Sequence, residues 1–205
     1  LKVKSLGHFS KTSKMPCPSY SLSAFDCITT DPICDKYCYA RKHHYNFKNV
    51  KDALATNQNM YMLKDWVKDF VFFINKVENL RYFRWFDSGD LPSILMLEKI
   101  CEIADKCPDT LFWLPTRRSD LLLSYFEANN NKKLKELHPN LIIRISAKDV
   151  NEDPDYSLAE YLGVNTSSVT DSDNYTCNAK NQNGSCQSCR NCWEQNVKEV
   201  KYYLH

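Results

Sequence analysis

The chain has 205 residues, 43% of them hydrophobic and 13% aromatic, with a formal net charge of +2. That length suits one domain, and so large an apolar share argues against a disordered chain. The small net charge gives a nucleic-acid partner no support from composition, and the apolar runs are far too short for a membrane span.

Residues 1–45 read as irregular, because SKMPCPSYS and DPICDKYC are dense in Pro, Ser and Asp. The opening LKVKSLGHFSKTSKM has no apolar run of the signal-peptide kind, which makes a cytosolic setting the expectation. Residues 50–79 predict one long helix. Leu63, Trp66, Val67, Phe70, Val71, Ile74 and Val77 recur at spacings of three and four, Asn49 can cap the start, and Asp52 falls in the first turn.

A βα rhythm follows. Strands are expected at Tyr82–Phe86, Leu111–Leu114 and Leu141–Ile145, with helices from Pro92 to about Lys106 and from about Ser119 to Ala128. Lys132–Leu137 reads as a continuation of the second helix or as a separate turn. The strand starts lie about 30 residues apart, the length of one βα unit. The strands are almost continuously apolar, as in a parallel sheet covered on both faces. Residues 149–176 read as polar and turn-rich, with a short helix at Ser157–Leu162 and a loop through NTSSVTDSDNYT. A last short helix is expected from Trp193 to Val200.

Each expected strand runs into polar residues at its carboxyl end: Asp87-Ser88-Gly89-Asp90, Thr116-Arg117-Arg118 and Ser146-Ala147-Lys148-Asp149. Parallel sheets bind ligands beyond those ends. Arg117 suits a carboxylate or phosphate, and Gly89 permits a ligand or backbone to approach closely. Asp90 and Ser119 also have the plainer reading of helix caps.

Ten cysteines stand at 17, 27, 34, 38, 101, 107, 177, 186, 189 and 192. In a cytosolic protein such clusters point to metal or redox chemistry rather than disulfides. Cys101 and Cys107 lie in or just after an apolar helix and read as ordinary buried thiols. Cys186-x2-Cys189-x2-Cys192 has the spacing that supplies three ligands to a cubane cluster, with Cys177 as the candidate fourth. Zinc more often takes two separate Cys-x2-Cys knuckles, and it stays open as the alternative. Cys17, Cys27, Cys34 and Cys38 either hold a second metal site or complete the first. His43 and His44 read as surface residues before they read as ligands, and Lys132, Lys133 and Lys135 as a solvated face.

Two resemblances rest on these residues. Ser13-Lys14-Met15-Pro16-Cys17-Pro18, Cys34-x3-Cys38-Tyr39-Ala40, Ser88-Gly89-Asp90 and Cys186-x2-Cys189-Arg190-x-Cys192-Trp193, with Tyr203-Leu204-His205 at the end, together resemble the bacteriophage family called gene product 88. That resemblance implies a phage protein acting in a bacterial host cytoplasm and carries no established activity. An N-terminal Cys-x3-Cys, βα units and a Gly-acid pair after a strand are also similar to the core of the radical S-adenosylmethionine superfamily. This second likeness implies a cluster with one open iron and a cofactor contacted by Ser88, Gly89 and Asp90. The third cysteine of that pattern would fall at Arg41, and three βα units are fewer than the superfamily's six.

The expected fold is therefore α/β, a partial (β/α) barrel or open parallel sheet of the radical-S-adenosylmethionine kind. The single domain would divide into a cysteine-rich segment 1–48, a βα core 49–150, and a loop with the cysteine cluster over 151–205. The expected function is an iron–sulfur protein with one or two [4Fe–4S] clusters on Cys177, Cys186, Cys189, Cys192, Cys17, Cys27, Cys34 and Cys38. S-adenosylmethionine or a similar ligand would sit by Ser88, Gly89, Asp90, Arg117 and Ser146. Partners would be a small ligand or a host or phage protein. The alternative is a zinc-stabilised structural or interaction module associated with nucleic acid.

Overall fold

The structure is a computed structural model that describes residues 2, 3, 5–11, 14–28, 31–76 and 80–204. Ser13, Val77 and His205, named above, lie outside the described residues.

Eight strands pair in a row that follows chain order. They are β1 (Lys2–Val3), β2 (Gly7–Lys11), β3 (Pro18–Tyr20), β4 (Tyr82–Trp85), β5 (Leu111–Thr116), β6 (Leu141–Val150), β7 (Asn165–Thr170) and β8 (Glu199–Tyr203). The pairs β1–β2 and β2–β3 are antiparallel, and every pair from β3 to β8 is parallel. Strands β2 to β8 thus make a seven-stranded, mostly parallel sheet, which the short β1 extends at one edge. The helices are α1 (Pro32–Tyr37), α2 (Lys48–Met60), α3 (Trp66–Lys76), α4 (Ile94–Lys106), α5 (Ser119–Ala128), α6 (Leu134–Leu137) and α7 (Tyr156–Leu162).

Alternation along each strand sends side chains to two different faces. One face carries Phe83, Trp85, Phe112, Leu114, Leu141, Ile143 and Ile145, which join the buried sides of α3, α4, α5 and α7 in the main apolar core. Steps that always move to the next strand in the same direction keep crossover helices on one side, because parallel crossovers share one hand. The opposite face carries Tyr82, Arg84, Trp113 and Arg144. There Cys17 and Trp193 pack on Trp113, with Tyr82, Leu111, Cys192 and Tyr202 around them. Among the described residues, no helix is long and apolar enough to cross a membrane.

The three expected strands are β4, β5 and β6. Several other expectations are corrected. Residues 1–45 hold β1, β2, β3 and α1 in addition to irregular turns. The expected helix over 50–79 is two helices, α2 and α3, which part at residues 61–65. The first begins after Phe47, with no side-chain cap, and not at Asn49. Helix α4 starts after Ser93, whose hydroxyl accepts from the Met96 amide, two residues later than expected from Pro92. Lys132–Leu137 contains the separate short helix α6.

The largest miss is β7. Its sequence, NTSSVT, has no apolar run, yet Asn165, Thr166, Ser167, Ser168 and Thr170 are buried. Their side chains are paired: Asn165 donates to the Gln195 carbonyl, Thr166 to the Lys198 carbonyl, Ser168 to Glu199, and Thr170 to Asn151. A buried polar strand is tolerated when its groups are hydrogen-bonded. The C-terminal residues expected as a helix form a 3-10 turn at Asn191–Trp193 and then β8, which EVKYY suits by its alternation.

Candidate metal centre

The tail that follows β7 crosses the face of the sheet opposite the main core. Lys201 on β8 fixes its start, since the Thr176 and Cys177 amides both donate to the Lys201 carbonyl. A 3-10 turn, Asn178–Gln182, ends on Asn183 and Gly184, both at positive φ, so the chain doubles back. The Cys186 amide then donates to the Lys14 carbonyl at 2.8 Å, and the Cys189 amide closes a turn on Cys186 at 2.9 Å. Trp193 anchors the far end. It is 1% exposed, its indole N–H donates to the Phe83 carbonyl at 2.8 Å, and its ring meets Trp113 edge-on at 5.3 Å.

The result is a recess into which Cys177, Cys186, Cys189 and Cys192 all face, with Ala179, Trp193 and Val200 forming apolar wall. Gln182 lines the same recess, and its buried Oε1 has no hydrogen-bond partner. The Tyr202 hydroxyl lies 3.3 Å from Cys192 Sγ. Burial pushes the thiols of Cys177 and Cys186 up, and lifts Cys192 to about 11. Without metal these thiols keep their protons at neutral pH, so any metal bound here would have to displace them. Arg84, Arg144 and Arg190 work the other way, each favouring thiolate at one or more of these sulfurs.

Cys17 comes to this site and leaves the N-terminal set. It is 4% exposed, and burial lifts its thiol to about 12; the charges of Cys186 and Cys192 also raise it. Cys17 does not line the recess.

Of the other three N-terminal cysteines, Cys27 and Cys34 lie near the strand-end residue Asp90, with Cys38 close to both. Cys27 follows a 3-10 turn whose start is capped by Ser23. Cys34 lies on α1 and Cys38 ends it, one helical turn apart and so on one face. Burial lifts the Cys27 thiol to about 12, helped by the nearby charges of Asp90, Cys38 and Cys34. Burial raises Cys34 as well, with Cys38, Asp31 and Asp90 adding to it and Arg117 opposing. Arg41 stands where a third cysteine was sought, and the charges of Arg41, Cys34 and Cys38 all act on Cys27.

The expected ligand residues of the rim are mostly engaged by the protein itself. Asp90 accepts from the Thr116 hydroxyl at 2.6 Å, the Arg117 amide at 2.9 Å and the Leu91 amide at 2.7 Å, which is not a helix cap. Burial raises its carboxyl. Arg117 bridges Asp31 at 3.3 Å and donates to the Ala147 carbonyl, so it is not free to clamp an anion. Ser146 pairs with Ser167. Gly89 has φ +80, and a Cβ there would meet Leu22 at 2.8 Å, so the close approach it permits is to backbone. Ser88 Oγ is buried without a partner.

Sequence reading missed the polar hub beneath this rim. Asp87 accepts from Ser19 at 2.8 Å, from Ser21, and from the Tyr45 hydroxyl at 3.2 Å, while Tyr39 donates to its carbonyl. Arg84 acts by its charge on Cys17, Cys186 and Cys192 and also on Tyr39 and Asp87 of the hub. Its guanidinium stacks over Trp113 at 4.4 Å and donates to Met15 Sδ and the Phe86 carbonyl.

Among the described residues, no group of three or more His, Cys, Asp or Glu side chains is gathered so as to hold a metal ion. His43 and His44 are exposed. The recess is a convergence of thiols and not a closed ligand shell. The family described as gene product 88 matches residues 2–195. None of the curated proteins and none of the solved structures matches the chain.

Proposed function

The chain belongs to the gene product 88 family, and on that footing we propose that this phage protein is an iron–sulfur protein. Cys177, Cys186, Cys189 and Cys192 would hold one [4Fe–4S] cluster, which when bound supplies one-electron chemistry. The observation that carries the reading is that these four cysteines, separated by turns and 3-10 segments, line one recess. The Cys186-x2-Cys189-x2-Cys192 spacing favours a cluster over zinc. A single zinc ion draws four sulfurs to about 2.3 Å from one centre, whereas a cluster spreads its thiolates over separate irons. Three arginines nearby offset the negative charge that thiolate ligation brings.

The second site is Cys27, Cys34 and Cys38, three thiols grouped near the strand-end residue Asp90. Three protein ligands would leave one position for an outside molecule. A ligand of the S-adenosylmethionine kind fits the resemblance noted from sequence, and Cys27 supplies the thiol that Arg41 does not. The chain's own residues then shape the pocket: Asp90 holds Thr116 and Arg117 in place, Arg117 fixes the start of α1 through Asp31, and the unpaired Ser88 hydroxyl lies under the rim.

The test is a cysteine series made and handled without oxygen. Cys186→Ala and Cys189→Ala are expected to lose one set of iron and sulfide, Cys27→Ala and Cys34→Ala the other, and Cys101→Ala neither. An electron paramagnetic resonance signal that changes on adding S-adenosylmethionine only while Cys27 is intact would support the rim reading. Full iron in Cys186→Ala would sink the four-cysteine assignment, and zinc in place of iron would replace it with a structural metal site.

A further inference from the structure

The segment that carries the rim thiols also presents a surface of another kind. From Lys36 to Lys51 the chain has five Lys or Arg, two His and no Asp or Glu. Between these cations stand exposed rings: Tyr37 at 42%, Tyr39 at 55% and Phe47 at 61%, with Phe25 beside them at 49%. Short contacts lock the segment into one body. The Lys51 ammonium sits 4.9 Å from the centre of the Phe25 ring, Arg41 Nε donates to the Ala24 carbonyl, and Lys42 Nζ reaches the Lys36 carbonyl. The hydroxyls of Tyr39 and Tyr45 donate inward to Asp87, so the Tyr39 ring is held at the surface by its buried end. Two neighbouring acids are already paired, Asp31 with Arg117 and Asp52 with Lys48. Asp35, just before Lys36, and Asp26, just after Phe25, stand at the border.

We infer that this collar is a docking surface for single-stranded nucleic acid, laid beside the Cys27, Cys34 and Cys38 thiols. Bases stack on exposed aromatic faces with little regard to sequence, and Lys and Arg meet the phosphates. Phe47, Tyr39, Tyr37 and Phe25 supply the faces; Lys36, Lys42 and Lys51 supply the charge. A duplex would need an element that enters a groove, and this surface is short turns. A membrane would favour one wide apolar stripe on a helix, and here rings and cations are interspersed along short turns. The small net charge of the whole chain hides the feature, because the cations are concentrated in one stretch. The inference goes beyond the cluster proposal and holds whether or not the thiols carry metal.

The test uses the full chain and fluorescein-labelled strands of oligo-dT and oligo-U of about 20 nucleotides, enough to span one such site. A duplex of the same length and vesicles of anionic lipid serve as comparisons. Anisotropy is read at stepped salt. The wild type is expected to bind the strands better than the duplex, with affinity falling steeply as salt rises. Phe47→Ala should weaken strand binding by about tenfold. The pair Lys42→Glu and Lys51→Glu should do the same and flatten the salt slope. All three side chains are exposed, so circular dichroism should be unchanged. The inference is overturned by absent binding at low salt, by binding that both variants leave intact, by equal binding of strand and duplex, or by capture of vesicles alone. Colourless, metal-free protein that still binds the strand would uphold it while sinking the cluster proposal.

Discussion

Arg144 has no exposed surface, and its guanidinium donates to the carbonyls of Cys192, Thr166, Asn191 and Glu194. Burial pulls its pKa down, and ionisation of Tyr202 or Cys192 would favour its cation. A buried cation in such company fits a site that carries net negative charge. Arg144→Met keeps the bulk and strands four acceptors, so the metal-free chain is expected to lose about 3 kcal/mol or more in urea unfolding. Tyr202→Phe removes the hydroxyl 3.3 Å from Cys192 Sγ and nothing else. If that sulfur ligates a cluster, losing a hydrogen bond to it should lower the reduction potential, read by redox titration. The thiols also set a pH dependence. Cys17 and Cys27 are lifted to about 12 and Cys192 to about 11, above the ordinary 9.0. A raised folded-state pKa contributes stability that is complete below the unfolded value and lost as pH climbs through the folded one. The melting temperature of metal-free protein should therefore fall between about pH 9 and pH 12. Cysteines were legible because they are rare and clustered. Arg84 and Arg144 were not, because a lone arginine inside an apolar strand carries no spacing signal.

At the scale of elements, the βα rhythm was readable from apolar runs with turns between them, and β4, β5 and β6 follow it. What sequence patterns could not reveal was β7, whose burial is sustained by side-chain hydrogen bonds. The break between α2 and α3 was hidden for a related reason: residues 61–65 lack Pro and Gly, and the apolar spacing runs straight through them. The β2 edge depends on one side chain from α2. Asn57 is 1% exposed, accepts from the His8 amide at 2.7 Å, and donates to the His8 and Ser21 carbonyls, each at 2.8 Å. Gly7, at φ +93, leaves the space that this amide fills. Asn57→Ala should cost about 2–4 kcal/mol, since it removes three hydrogen bonds to buried or partly buried backbone groups. Hydrogen exchange should then quicken first in β2 and β3.

Across the whole molecule the sheet separates two kinds of chemistry. Its helix-covered face is apolar and closely packed. Its other face holds the cysteine-rich tail, three arginines and two tryptophans in contact, Trp113 and Trp193. The thiols divide unevenly: four line the recess, Cys17 packs behind it, and Cys27, Cys34 and Cys38 group near the strand-end residue Asp90. Sequence spacing brought out the first group and left the second undecided, because Cys27 reaches Cys34 and Cys38 through a fold-dependent turn and not through a fixed motif. The most direct measurement is elemental analysis of oxygen-free wild-type protein, with iron, acid-labile sulfide and zinc counted per chain. The account predicts brown protein with iron and sulfide in near-equal amounts and little zinc. Colourless protein carrying zinc, or no metal at all, would contradict it.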